Sequence, residues 1–181
     1  MITIGFLEVN SIARGILAAD MMLKAAEIKL VSARPSCPGK YQILISGEVS
    51  AVESSLRIGE ETARANVVDK LLIPRVSPQV IEAINMSSMP SSFKALGILE
   101  FFSVTGAVIA SDAAVKAASV SLIEIRLGTG IGGKSFVTFT GDVGAVEESA
   151  EAGARTAQDS GALVDKVVIA HPDKELYRCL L

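Results

Sequence analysis

The sequence predicts an α+β chain of two tandem ferredoxin-like modules. Each is a split βαβ unit with an antiparallel sheet and helices on one face. Three observations carry this. Residues Ile4 to Ala26 (IGFLEVNSIARGILAADMMLKAA) return as Leu96 to Ala118 (LGILEFFSVTGAVIASDAAVKAA), so one module has been duplicated in tandem. Within each copy, β-branched apolar runs alternate with helical apolar spacing in the order strand, helix, strand, strand, helix, strand, helix. The register between copies slips twice, between residues 31 and 39 and between 60 and 68 of the first copy, as loops and helix ends allow.

Each element follows in turn. Ile2 to Val9 reads as a strand, and Ser11 caps a helix whose core face is expected to be Ile12, Ile16, Ala19, Leu23 and Ala26. Ile28 to Ala33 and Lys40 to Ser46 are strands joined by the loop Arg34-Pro35-Ser36-Cys37-Pro38-Gly39. Ser50-Ala51-Val52-Glu53 forms a capping box that opens a second helix to about Val67, with Val52, Leu56, Gly59, Ala63 and Val67 inward. Lys70 to Ile73 is a fourth strand. Pro74-Arg75 leads from it to a short helix capped by Ser77 with Pro78 in its first turn. The second copy repeats the order: Ala95 to Phe102, Ser103 to Ala118, Leu122 to Leu127, Lys134 to Gly141, Ala145 to Gly161, Lys166 to Ala170 and Pro172 to Leu180. The expected domains are residues 1–85 and 95–181, with a short polar linker at 86–94.

Composition bounds the function. Half of the 181 residues are hydrophobic and the mean hydropathy is +0.46, yet charges (Glu8, Asp20, Lys24, Glu100, Asp112, Lys116) cut every apolar stretch below the length of a membrane span. No secretory signal opens the chain, so a cytoplasmic protein is expected. Apolar excess without a membrane points to an oligomer. A net charge of -3 without a basic patch argues against nucleic acid. Two cysteines, Cys37 and Cys179, make neither a disulfide framework nor a zinc knuckle.

The A-[AS]-D-x-x-x-K-A-A pattern of the first helix, the Gly-bearing loop after the second strand, the G-[DE]-V-x-A-V entry to the second helix and Ile73-Pro74-Arg75 resemble bacterial microcompartment shell proteins. Both copies match over essentially the whole chain, although Ile-Pro-Arg stands only in the first. The tandem arrangement resembles the trimer-forming double-domain class, and Cys37-Pro38-Gly39-Lys40 against Gly130-Ile131-Gly132-Gly133-Lys134 resembles its propanediol-utilisation, T-type iron–sulfur group. That resemblance implies a homotrimeric pseudo-hexagonal tile in a cytoplasmic microcompartment shell, with other shell proteins and encapsulated redox enzymes as partners. It implies a pore loop of Ser36, Pro38, Gly39, Gly130, Ile131, Gly132 and Gly133, with Cys37 as metal ligand to one 4Fe-4S cluster per trimer, serving electron transfer or cluster delivery. It also implies tile-edge contacts through Lys24, Lys116 and Arg75. Threefold symmetry would turn one thiolate per chain into three, and thiolate is the ordinary protein ligand of such clusters.

Plainer readings stand beside these. Cysteine is among the most buried residue types, and Cys179, with Leu176 and Leu180, is expected to be packing. Gly128-Thr129-Gly130-Ile131-Gly132-Gly133 is followed by a strand, so it cannot open the helix a phosphate loop requires. His171 is expected to be loop punctuation, and no catalytic constellation accompanies it, so no enzyme is expected. The rival functions are a shell protein with an open metabolite pore and no cluster, and a soluble ferredoxin-like sensor or enzyme with Cys37 as nucleophile.

Overall fold

The computed structural model describes residues 2–158 and 161–180, arranged in two compact units that divide between Val76 and Ser77. The first unit runs β1 (Thr3–Val9), α1 (Ile12–Ala25), β2 (Lys29–Ser36), β3 (Lys40–Gly47), α2 (Val49–Ala63), one 3-10 turn at Arg64–Asn66 and β4 (Val67–Ile73). Its sheet has the order β2-β3-β1-β4, antiparallel throughout. Leu7, Val9, Ile43 and Ile45 point to one face and pack beneath Ala18, Ala19 and Met22 of α1 and Val52, Leu56 and Ala63 of α2. Strand alternation and helical spacing thus meet in one core layer.

Two expectations for the first unit are corrected. Ser11 does cap α1, accepting from the Arg14 N–H, but the buried face is Gly15, Ala18, Ala19 and Met22. Ile12, Ile16 and Leu23 stand exposed, together with Leu17 and Met21. The reason is volume. Gly15 lies so close to Tyr41 that an added Cβ would meet the tyrosine side chain at 2.5 Å, and only small residues let α1 descend onto the sheet there. The capping box at Ser50 does not form either. The helix starts at Val49, directly after β3, with the Val52 N–H donating to the Glu48 carbonyl at 3.0 Å.

The second unit holds α3 (Pro78–Ile84), β5 (Ala95–Phe101), α4 (Val104–Ala117), β6 (Val120–Leu127), β7 (Ser135–Gly141), α5 (Val143–Arg155), β8 (Leu163–Ile169) and α6 (Lys174–Leu180). Its sheet repeats the order as β6-β7-β5-β8. The helix expected over 145–161 begins earlier and ends at Arg155; Asp159 and Ser160 of that expectation lie outside the described residues. Ala107 occupies the place of Gly15, and Ser135 that of Tyr41, so the crossing of first helix and hairpin strand pairs a small residue with a large one in the first copy and two small residues in the second.

The boundary at residue 85 is also corrected, because α3 packs with the second unit. Gln79 reaches the open edge of β6, where its Oε1 accepts from the Leu122 N–H at 3.0 Å. The Ser77 N–H donates to Asp112 Oδ1 at 2.9 Å, fixing the start of the helix to α4. Backbone groups of an edge strand must find partners, and α3 with the following segment supplies them. The helices are not all on one face. Tyr177 of α6 packs with Leu96, Ile98 and Ile123 on the face opposite α4 and α5. Its ring lies 4.5 Å from that of Phe93, and its hydroxyl donates to the Lys94 carbonyl.

Candidate functional site

The two β-hairpins, β2–β3 and β6–β7, place the residues singled out for chemistry. In the first, Ser36 pairs with Lys40, leaving Cys37, Pro38 and Gly39 as the loop. Ser36 is buried, whereas Cys37 is a half-buried free thiol rather than a core residue. Gly39 has φ +76, which a residue with a Cβ adopts only with strain. The Cys37–Pro38 peptide is cis.

In the second hairpin Leu127 pairs with Ser135, so the loop spans Gly128 to Lys134. Gly128, Gly130, Gly132 and Gly133 all have positive φ. The turn closes on itself through the Gly133 N–H to the Gly128 carbonyl at 3.3 Å and the Lys134 N–H to the Ile131 carbonyl at 3.3 Å. Gly130 and Gly132 have nothing within 4 Å of where a Cβ would stand. Glycine here answers a conformational demand, and the loop presents backbone rather than side chains. The first register slip of the repeat therefore falls in these loops, as expected from sequence.

A paired brace that sequence reasoning missed sits at the base of each hairpin. Lys40 Nζ meets Glu8 Oε2 at 3.0 Å, and Gln42 Nε2 donates to Glu8 Oε1 at 3.2 Å. The second copy has Lys134 Nζ on Glu100 Oε1 at 2.5 Å. Glu8 is 3 % exposed and Glu100 33 %, so the first brace is nearly desolvated at its carboxylate and the second is partly solvated. The signal was present as a Glu and a Lys recurring in matching places. It was invisible as a contact because its partners lie on different strands.

The remaining singled-out residues scatter. Lys24 is exposed and pairs with Asp20 at 2.6 Å, one helical turn back. Lys116 pairs with Asp112 at 2.5 Å, and this carboxylate is nearly buried and also holds Ser77. Arg75 is exposed, with φ +55, in the turn after β4. His171 is an exposed bend residue. Cys179 is exposed, contrary to the packing role expected for it. Glu151 has its carboxyl held below the usual range by a hydrogen bond from Lys166 and by that residue's charge. Among the described residues no three of His, Cys, Asp and Glu come together as a metal site, and no helix is long and apolar enough to cross a membrane.

The comparisons with known proteins agree with this architecture. The family model described as "BMC domain" matches residues 3–76 and again residues 95–172. The chain is 36% identical over 175 residues to the bacterial microcompartment shell protein PduT of Citrobacter freundii, covering 97% of this chain and 95% of that one. It is 36% identical over 88 residues to the shell protein PduA of the same organism, a match to 48% of this chain and 91% of PduA. Among solved structures, that of a microcompartment protein from Desulfitobacterium hafniense DCB superposes with a TM-score of 0.95 at 54% identity, covering 99% of each chain. Two copies of one domain, in two sheets of the same strand order, place this chain in the BMC-domain family as a tandem shell protein of bacterial microcompartments.

Proposed function

We propose that this shell subunit assembles as a homotrimeric tile with Cys37 on the threefold axis, where three thiolates hold one 4Fe-4S cluster. The observation that carries the reading is the position of Cys37: a free thiol at a hairpin tip, braced from below by Lys40 and Glu8 and excluded from either core. One chain supplies one ligand, so the donor set fits the cluster only when symmetry brings three chains together. A bound cluster would supply one-electron transfer across the shell or be the cargo handed to enzymes within. The chain's own task is to orient the thiolate, which the short loop and its buried carboxylate brace favour, while the glycine loop of the second copy brings backbone alone to the axis.

The exposed side chains Ile12, Ile16 and Leu23 on one side of α1, with Leu17 and Met21 on another, support assembly. About half of each such side chain is still exposed, so covering it contributes roughly 1 kcal/mol, and several together drive association with a partner surface. The same reading sets Lys24, Lys116 and Arg75 at the tile edge; Lys24→Ala should then thin the two-dimensional sheets seen by electron microscopy while the trimer persists, and loss of the trimer would reject the edge placement.

Anaerobic reconstitution tests the cluster. Wild type and Cys179→Ala should turn brown, carry iron and sulfide at one cluster per trimer and, once reduced, give an electron paramagnetic resonance signal. Cys37→Ala should give none of these and remain trimeric. Iron and sulfide retained by Cys37→Ala would overturn the assignment, and a colourless wild type would favour an open metabolite pore.

A further inference from the structure

The second unit holds an open cavity of about 720 Å³ between the segment leading into β5, the start of α5 and the start of α6. Every residue lining it falls within that unit. Its volume lies in the range of small-molecule sites, roughly 300–1,000 Å³. Its aromatic wall is fixed. Tyr177 is 8% exposed, its ring lies against that of Phe93, and its hydroxyl donates to the Lys94 carbonyl. The Lys94 N–H donates to Thr140 Oγ1 at 3.0 Å, and that hydroxyl donates to the Ala95 carbonyl at 2.8 Å. The entry to β5 is thus pinned from two sides, and the wall stands ready before any ligand arrives.

The exposed part of the lining is basic. Lys94 Nζ is held by Asp142 Oδ1 at 2.7 Å, and that carboxylate makes no capping bond to α5. Lys174 and His171 make no hydrogen bond or ion pair among the described residues. The neighbouring Asp173 carboxylate accepts from the Glu175 N–H and is spent on α6. Two lysines against one aspartate leave the lining positive. The fold does not demand these groups, because the matching places in the first copy hold Ile2 for Lys94, Pro78 for Lys174 and Ile81 for Tyr177.

We propose that this cavity binds a small organic anion, its apolar, ring-sized body against Phe93 and Tyr177 and its carboxylate or phosphate against Lys174 and His171. The apolar wall provides contact area, and charge complementarity sets which end of the ligand faces outward. The site is separate from the Cys37 hairpin and stands whether or not a cluster is bound there. It gives the shell subunit a metabolite-binding site of its own.

Phenyl phosphate is the probe, titrated calorimetrically into the full chain. It should saturate one site per chain. Inorganic phosphate should bind at least about tenfold more weakly because it lacks the ring, and benzyl alcohol should not bind because it lacks the charge. Lys174→Glu should weaken phenyl phosphate binding about tenfold, whereas Asp142→Asn, which frees Lys94, should tighten it about threefold. Arg57→Glu changes the net charge as much as Lys174→Glu but lies in the first unit, and should leave the affinity unchanged. Lys174, Asp142 and Arg57 are exposed, so circular dichroism should show each variant folded. No binding by wild type, equal binding of phenyl phosphate and inorganic phosphate, or equal losses in Lys174→Glu and Arg57→Glu would each overturn the site. Should Lys174→Glu fail to fold, Lys174→Met and Asp142→Asn decide through their opposite signs.

Discussion

The two units fill the crossing of first helix and hairpin strand differently. The first uses Gly15 against Tyr41, and the second uses Ala107 against Ser135, whose Oγ donates to the Ser103 carbonyl at 2.6 Å. A Cβ at Gly15 would meet Tyr41 at 2.5 Å, whereas the second copy has alanine at the matching helix position and the much smaller serine at the matching strand position. A large strand residue goes with glycine on the helix and a small one with alanine, as expected if each crossing is a local steric constraint met within its own unit. Copies of one fold can therefore diverge in chemistry while each keeps close packing.

The largest expected effect breaks that pairing. Gly15→Ala gains about 1 kcal/mol of helix propensity but forces an overpacked contact worth about 3 kcal/mol, a net loss of about 2 kcal/mol. Combined with Tyr41→Ser, which rebuilds the second copy's pair, the loss should fall short of the sum of the single variants by about 2 kcal/mol. Urea unfolding of all four proteins measures this, and simple additivity would refute the pairing.

A second comparison sharpens the difference between the braces. Lys40→Met strands the buried Glu8 carboxylate with Gln42 as its remaining partner and should cost about 2 kcal/mol. Lys134→Met acts on a pair that water already solvates and should cost less than about 1 kcal/mol. Equal losses in thermal melts would mean that exposure does not separate the two braces.

The smallest effect compares Lys24 with Lys116. Lys24→Ala removes a solvated pair and should change stability by less than about 0.5 kcal/mol. Lys116→Ala leaves the nearly buried Asp112 with the Ser77 N–H alone and should cost about 1 kcal/mol. The order of the two melting temperatures checks the prediction, and the reverse order would contradict it.

The order of elements along the chain, the antiparallel sheet of each copy and the Ser11 cap were legible because duplication exposes the period and local rules decide those features. The core face of α1 was misread because Ile12, Ile16 and Leu23 have the spacing of a buried stripe, and periodicity cannot say whether a stripe faces its own sheet or another surface. The allegiance of α3 was misread for a related reason. Nothing local to Gln79 announces that it will complete the edge of a strand more than forty residues later. At the hairpins, Cys37 and the glycines stood out by residue type, whereas the braces stayed hidden because ion pairs between strands are set by sheet register.

The four positive-φ glycines of the β6–β7 loop also bear on how this protein can evolve. A codon change at any of them installs a Cβ in a conformation that costs about 1 kcal/mol or more, so most single mutations there are filtered by stability before new chemistry can be sampled. The three-residue loop of the other copy carries only one such position, Gly39. Inherited variation is thus channelled: one loop is held to its peptide groups across generations, and the other, at Cys37, is where selection is freer to exchange one side chain for another.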